Sequence, residues 1–184
     1  MKRVLQIFRE GRDEIRYLNQ PLLPGEQGNV QTLAAMAEVV REQRVQPDLR
    51  VFVLREIVRD AAGHDSLDEL RRCFEFAQQR ITYRRDPFNV ERVADIWSTL
   101  YALNPREPEG DCGIKSGFFA TCAALLGYKP FFVVIKQRAM QPAFNHVYAA
   151  ALVDGVIRYY DPTPPDKPAG WEVGAAVKYL YPVF

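Results

Sequence analysis

Between residues 32 and 82 apolar positions recur every three or four residues, whereas beyond residue 130 they cluster or alternate. That change of period divides the chain into a helical part followed by a strand-rich part. In TLAAMAEVVREQ, Leu33, Met36, Ala37 and Val40 share one helical face. DLRVFVLREIVRDAAG predicts a second helix, with Asp48 as N-cap after Pro47 and an end at Gly63. SLDELRRCFEFAQQRI opens with Ser66 and Glu69 at capping-box spacing and places Leu67, Leu70, Phe74 and Ala77 on one face. Cys73 lies beside that stripe and reads as a packed core thiol.

GIKSGFFATCAALLG predicts a strongly apolar helix, stopped by Gly127 and Pro130. The texture then becomes β. PFFVVIKQ suits a buried strand, and HVYAAALV and VIRYYDPT flank Asp154-Gly155, a pair that favours a tight type I′ hairpin turn. A last strand is expected around 176–183. Residues 1–31 mix charges with Pro21, Pro24, Gly25 and Gly28, and read as a short strand or helix followed by an irregular connector. Residues 83–109, with Pro87, Pro105 and Pro108, read as a loop-rich approach to the apolar helix. The expected organisation is an N-terminal segment (1–31) and one domain (32–184), divided into a helical part (32–82) and a core (83–184). Helices followed by strands predict an α+β domain, its helices packed on an antiparallel sheet.

Composition narrows the partners. With 24 basic and 23 acidic residues the net charge is +1, so bulk charge does not point to nucleic acid or an anionic membrane. No apolar run approaches the roughly 18–20 residues that cross a bilayer. Arg9, Glu10, Arg12 and Asp13 interrupt the start of the chain and exclude a secretory apolar core. Cys73, Cys112 and Cys122 are an odd set, expected to be reduced thiols in the cytoplasm, unless the chain rides on a particle.

The two cysteines of EGDCGIKSGFFATCAALLG differ in setting. Cys112 stands at the start of the helix, where unpaired N–H groups and the dipole favour a thiolate, and Lys115 one turn on adds positive charge. Cys122 lies among Phe118, Phe119, Ala123 and Leu126 and reads as core. A nucleophilic cysteine needs a base, and the chain has two histidines. His64, in AAGHDS, reads as a solvated turn residue. His146 begins the first hairpin strand. With Asp154-Gly155 as a two-residue turn, Val153 faces Val156 and Tyr148 faces Asp161. His146 and Tyr148 share a face, which puts Asp161 one diagonal step from His146, about 7–8 Å between Cα atoms. Cys112, His146 and Asp161 thus supply a nucleophile, a base and an orienting carboxylate.

These pieces resemble the transglutaminase-like superfamily, especially its bacterial and phage or prophage domains. The matching segments are GDC at 110–112, the helix closing in LGYKP, NHVYAAALVDG at 145–155, YYDPT at 159–163 and, upstream, ITYRRDP at 81–87. The resemblance spans roughly residues 30–165. It implies a papain-like α+β core with Cys112 as nucleophile, His146 as general base and Asp161 as its orienter. It also implies acyl transfer on peptide or protein substrates, with hydrolysis of a peptide or isopeptide bond as the default outcome. Phage-type relatives continue GDC with acidic residues, whereas this chain has Gly113, Ile114 and Lys115, so metal-binding detail is not carried over.

The backbone N–H of Cys112 should donate to the oxyanion, with Trp97 and Gln79 as candidates for a second donor. No cofactor or metal is expected. Two rival readings remain: a non-enzymatic structural or assembly protein that keeps the fold, and a metal site from Cys112, Cys122 and His146. The latter has no CxxC or HExxH spacing behind it, and ten residues of helix turn the two cysteines to different faces.

Overall fold

Apolar alternation in Val4–Glu10 (β1) buries Leu5 and Ile7, and the strand pairs antiparallel with Ile15–Pro21 (β2). A long helix follows, Gly25–Gln43 (α1), burying Leu33, Met36, Ala37 and Val40 against that hairpin. The chain in this computed structural model is described at residues 3–10, 15–61, 65–102 and 107–184. The N-terminal segment is therefore two strands and the first turns of a helix that starts at Gly25, where an irregular connector was expected. Gly25, at φ +60°, begins the helix in a conformation few other residues adopt, which hides the start from a pattern based on apolar spacing.

Pro47–Phe52 (α2) runs on as a π-helical turn over Val53–Ile57. Its N-cap is Gln46 rather than Asp48, because Pro47 takes the first helical position, where its missing N–H costs nothing. Ser66–Arg80 (α3) is capped by Asp65, whose carboxylate accepts from the Leu67 and Asp68 N–H groups. Leu70, Phe74 and Ala77 are buried as the spacing predicts, but Leu67, in the first turn, is half exposed. His64 and Gly63 lie outside the described residues.

The stretch expected to be loop-rich holds three short strands: Thr82–Tyr83 (β3), Val90–Ala94 (β4) and Glu109–Gly110 (β5), with a π-helical turn at Ser98–Ala102. β4 runs parallel beside β1, and β3 runs parallel beside β5 with Tyr83 opposite Gly110. Next comes the apolar helix Cys112–Leu125 (α4). It is buried on nearly every side, packing on α1, α3 and the main sheet. That sheet is antiparallel, in the order Val156–Tyr160 (β8), His146–Val153 (β7), Lys129–Lys136 (β6), Val177–Pro182 (β9).

The architecture is α+β, with helices packed on an antiparallel sheet. The hairpin register is Val153 opposite Val156 through Ala149 opposite Tyr160. Asp154 (φ 50°) and Gly155 (φ 76°) both take the left-handed conformations of a type I′ turn. The small residues Ala149 and Ala151 let α4 lie close to β7, where Phe119 stacks on Tyr160 at 4.6 Å between ring centroids. Among the described residues no helix is long and apolar enough to cross a membrane.

Candidate active site

The start of α4 is fixed by a local sequence constraint. Asp111 is its N-cap, accepting from the Ile114 N–H at 3.0 Å. A Cβ on Gly110 would meet the Ile114 side chain at 2.4 Å, so this position accepts no side chain without displacing the helix. Gly-Asp-Cys is thus a steric requirement, a cap and the first helical residue in succession.

Cys112 is partly exposed and lines a cleft of about 270 Å³, together with His146, Asn145, Tyr83, Arg85 and Asn29. β7 holds the other side of the sulfur. The Val147 N–H approaches Cys112 and favours its thiolate, while the Val147 carbonyl accepts from the Ser116 hydroxyl at 3.2 Å. His146 Nε2 lies 2.7 Å from Asp161 Oδ2. The carboxylate is itself held, its Oδ1 accepting from the Thr163 N–H at 3.0 Å, and it is almost fully buried. Pro162 has no N–H to offer, so the Asp-Pro-Thr turn aims the next donor back at the aspartate. Since a carboxylate only accepts, the Nε2 contact assigns the ring proton to Nε2 and leaves the Nδ1 lone pair as the basic site.

The electrostatics differ from the expectation for Cys112. Burial is the main force that pushes the thiol up to about 12, and Asp111, Glu91 and Asp161 add to it. Lys115 does not offset this. Its side chain is 2% exposed and turns away, donating through Nζ to the carbonyls of Gln78 (3.0 Å) and Ile81 (2.8 Å) at the C-terminal end of α3. It closes one helix end where the sequence suggested it would charge another.

Burial lowers the Lys115 ammonium to about 8. Between about 8 and the unfolded value of 10.5 the unfolded chain binds more protons, so stability should rise with pH across that window. Lys115→Met keeps most of the stem volume but leaves two carbonyls without their donor. It should lower stability by about 2 kcal/mol at pH 7 and abolish the rise. Urea midpoints at pH 7, 8.5 and 10 test both; an unchanged midpoint at pH 7 would sink this role.

Glu91 and Asp111 line the cleft, and Asp86 stands beside them. Asp86, Glu91 and Asp111 each present a carboxylate oxygen, all within 4.8 Å of one another, the one such triple of potential metal ligands among the described residues. Each already has a partner. Asp86 accepts from the Arg92 N–H (2.5 Å) and Nε (2.7 Å), Glu91 faces Arg3 at 3.6 Å, and Asp111 caps α4. Burial and then mutual repulsion raise Glu91 to about 7 and Asp111 to about 6. Cys122, fully buried, is turned to Cys73, also fully buried, so Cys112, Cys122 and His146 do not form one ligand group.

Trp97 packs on Phe52 at 5.1 Å and Gln79 is exposed on α3; neither lines the cleft. Tyr83, Arg85, Arg3 and Asn29 do line it without having been singled out from the sequence. Tyr83 and Arg85 stand inside ITYRRDP, but their place beside Cys112 depends on the parallel pairing of two-residue strands, which carries no periodic signal.

No family model matches the chain, and no curated protein matches it. Solved structures do. A putative cysteine protease from Cytophaga hutchinsonii is 14% identical, with a TM-score of 0.46 over 73% of this chain and 46% of that one. A putative protease from Parabacteroides distasonis ATCC 8503 is 13% identical, with a TM-score of 0.52 over 88% of this chain and 36% of that one. The second likeness shows a shared fold. The chain spans less than half the length of either structure.

Proposed function

We propose that this chain carries out cysteine-dependent acyl transfer on amide bonds, with hydrolysis of a peptide or isopeptide bond as the reaction. The observation that carries the proposal is the 2.7 Å contact between His146 Nε2 and a buried Asp161, at the cleft that Cys112 also lines. In this reading Cys112 is the nucleophile, His146 the base through Nδ1, and Asp161 the group that fixes the tautomer and stabilises imidazolium.

The raised thiol dictates how the steps are coupled. With little standing thiolate, the proton passes from sulfur to Nδ1 as the Sγ–C bond forms. The carbonyl π pair moves to oxygen; on collapse the C–N bond breaks and the amine leaves with the proton from Nδ1. Water then attacks the thioester, its proton going to His146 and then to the departing sulfur. The motifs GDC, NHVY and YYDPT support a transglutaminase-like family, with a bacterial or phage-type branch resting on those motifs alone. Three unpaired cysteines suit a reducing, cytoplasmic setting. The candidate groups lie within 83–184, the part read as the catalytic core, although Arg3 and Asn29 also reach the cleft.

A second reading, a non-enzymatic assembly protein keeping the fold, is favoured by the placement of Lys115, which donates to the Gln78 and Ile81 carbonyls and leaves Cys112 in a cleft beside Asp111 and Glu91. One experiment separates the two. Incubation with p-nitrophenyl acetate should give a burst of nitrophenol matching one acetyl group per chain, mapped by mass spectrometry to Cys112. No burst, or acetyl elsewhere in the chain, favours the assembly reading.

A further inference from the structure

A tetrahedral intermediate formed at Cys112 needs two donors on its oxygen, and one is evident. Cys112 is the first residue of α4, so its N–H has no partner within the helix. The Val147 N–H is directed at the sulfur, and the Ile114 and Gly113 N–H groups are taken by the Asp111 carboxylate. Tyr83 also lines this cleft and offers a hydroxyl. β3 sets Tyr83 opposite Gly110, two residues before Cys112, and the phenol lines the same cleft as Cys112 and His146. Its charge couples to those of Cys112 and Asp111, and the Arg85 side chain is within hydrogen-bonding reach of its oxygen.

Arg85 decides which way that hydrogen points. A guanidinium only donates, so the Tyr83 oxygen accepts from it and keeps its own O–H free to donate elsewhere. A donor polarised by a cation also makes a stronger bond. Tyr83 is half exposed, and no core packing accounts for its position.

We propose that the Tyr83 hydroxyl, oriented by Arg85, is the second donor to the oxyanion formed when Cys112 attacks a carbonyl. The inference rests on the acyl-transfer reading above and extends it to a residue without an assigned role. As the Sγ–C bond forms, the carbonyl π pair becomes a third lone pair on oxygen, held by the Cys112 N–H and the Tyr83 O–H. Tyr83 keeps its proton throughout, and when the oxygen returns its pair to carbon the bond to the leaving group breaks. Tyr83 is a catalytic residue in this scheme and Arg85 a positioning residue.

Two reagents on one sulfur isolate the effect. Acylation by p-nitrophenyl acetate passes through an oxyanion, whereas alkylation by iodoacetamide displaces iodide without one. Tyr83→Phe should slow acylation of Cys112 about 10²-fold, while alkylation stays within about twofold of wild type. Arg85→Ala should lose part of the acylation rate and Arg85→Lys, still a donor, should recover it. Equal loss of both reactions in Tyr83→Phe, or loss of neither, overturns the Tyr83 assignment alone. Full acylation in Arg85→Ala removes Arg85 from the scheme. If wild-type Cys112 is alkylated but never acylated, the acyl-transfer reading falls and the Tyr83 assignment falls with it.

Discussion

Cys112→Ala is expected to lower turnover of p-nitrophenyl acetate and of a fluorescent casein substrate by about 10³-fold or more. The substitution removes the only protein atom in the scheme that forms a bond with the acyl group, so no partial function is left to report. The fold should tolerate it. Alanine is the best helix former, and position 112 is the first of α4, where Asp111, not the cysteine, supplies the cap. A thermal melt within a few degrees of wild type would establish that the loss is chemical. Cys112→Ser should be nearly as inactive, because a hydroxyl starts further from ionisation than a thiol already pushed up to about 12. Activity in Cys112→Ala at the wild-type level would end the proposal, whatever the geometry around His146.

How much of this could be read along the chain depended on range. The hairpin was legible because Asp154-Gly155 specifies its own turn, and a two-residue turn sets the pairs from Val153 opposite Val156 to Ala149 opposite Tyr160; the ladder ends one pair short of the expected Tyr148 opposite Asp161, and His146 meets Asp161 just beyond it. The apolar helix was legible because nearly all its faces are buried, so no periodic pattern was needed to find it. The helix start at Cys112 was legible because a helix start is a local event.

The surroundings of Cys112 were not legible. Lys115 stands one turn after the cysteine in sequence, and proximity along the chain suggested proximity in charge. In the fold its side chain reaches instead to the end of α3, since two carbonyls there lack donors. The carboxylates Glu91 and Asp86 come from a segment read as loop; Glu91 is placed by the pairing of β4 with β1, and Asp86 by its bonds to Arg92 of the same strand. Short strands paired in parallel with partners distant in the chain, Val4 with Val90 and Thr82 with Glu109, leave no signature that a single sequence displays. Burial, with Glu91 among the carboxylates that add to it, pushes the Cys112 thiol up against the pull expected at a helix start, an opposition whose main source lies outside the local sequence.

Asp161→Asn offers the sharpest test of the base, since it changes one atom and should cost about 10³- to 10⁴-fold in acylation. In the native chain the two carboxylate oxygens have different partners: Oδ1 accepts from the Thr163 N–H and Oδ2 faces His146 Nε2. An asparagine must keep its single acceptor on one of them. The Thr163 N–H cannot turn away from a rigid Asp-Pro-Thr turn, and a buried donor without a partner costs about 1–3 kcal/mol. The amide oxygen therefore stays with Thr163, which presents the NH₂ group to His146. Nε2 must then accept, so its proton moves to Nδ1, the nitrogen that has to receive the proton of Cys112. The ring remains in place in the wrong tautomer, and a thiol with so high a threshold for ionisation has no other base. Nitrogen-15 spectra of the His146 ring should show the exchange, with Nε2 protonated in wild type and Nδ1 protonated in the variant at pH 8. A variant that acylates within about tenfold of wild type would remove Asp161 from the proposed triad, because a carboxylate serving only to pack the hairpin would be replaced by its amide at little cost to rate.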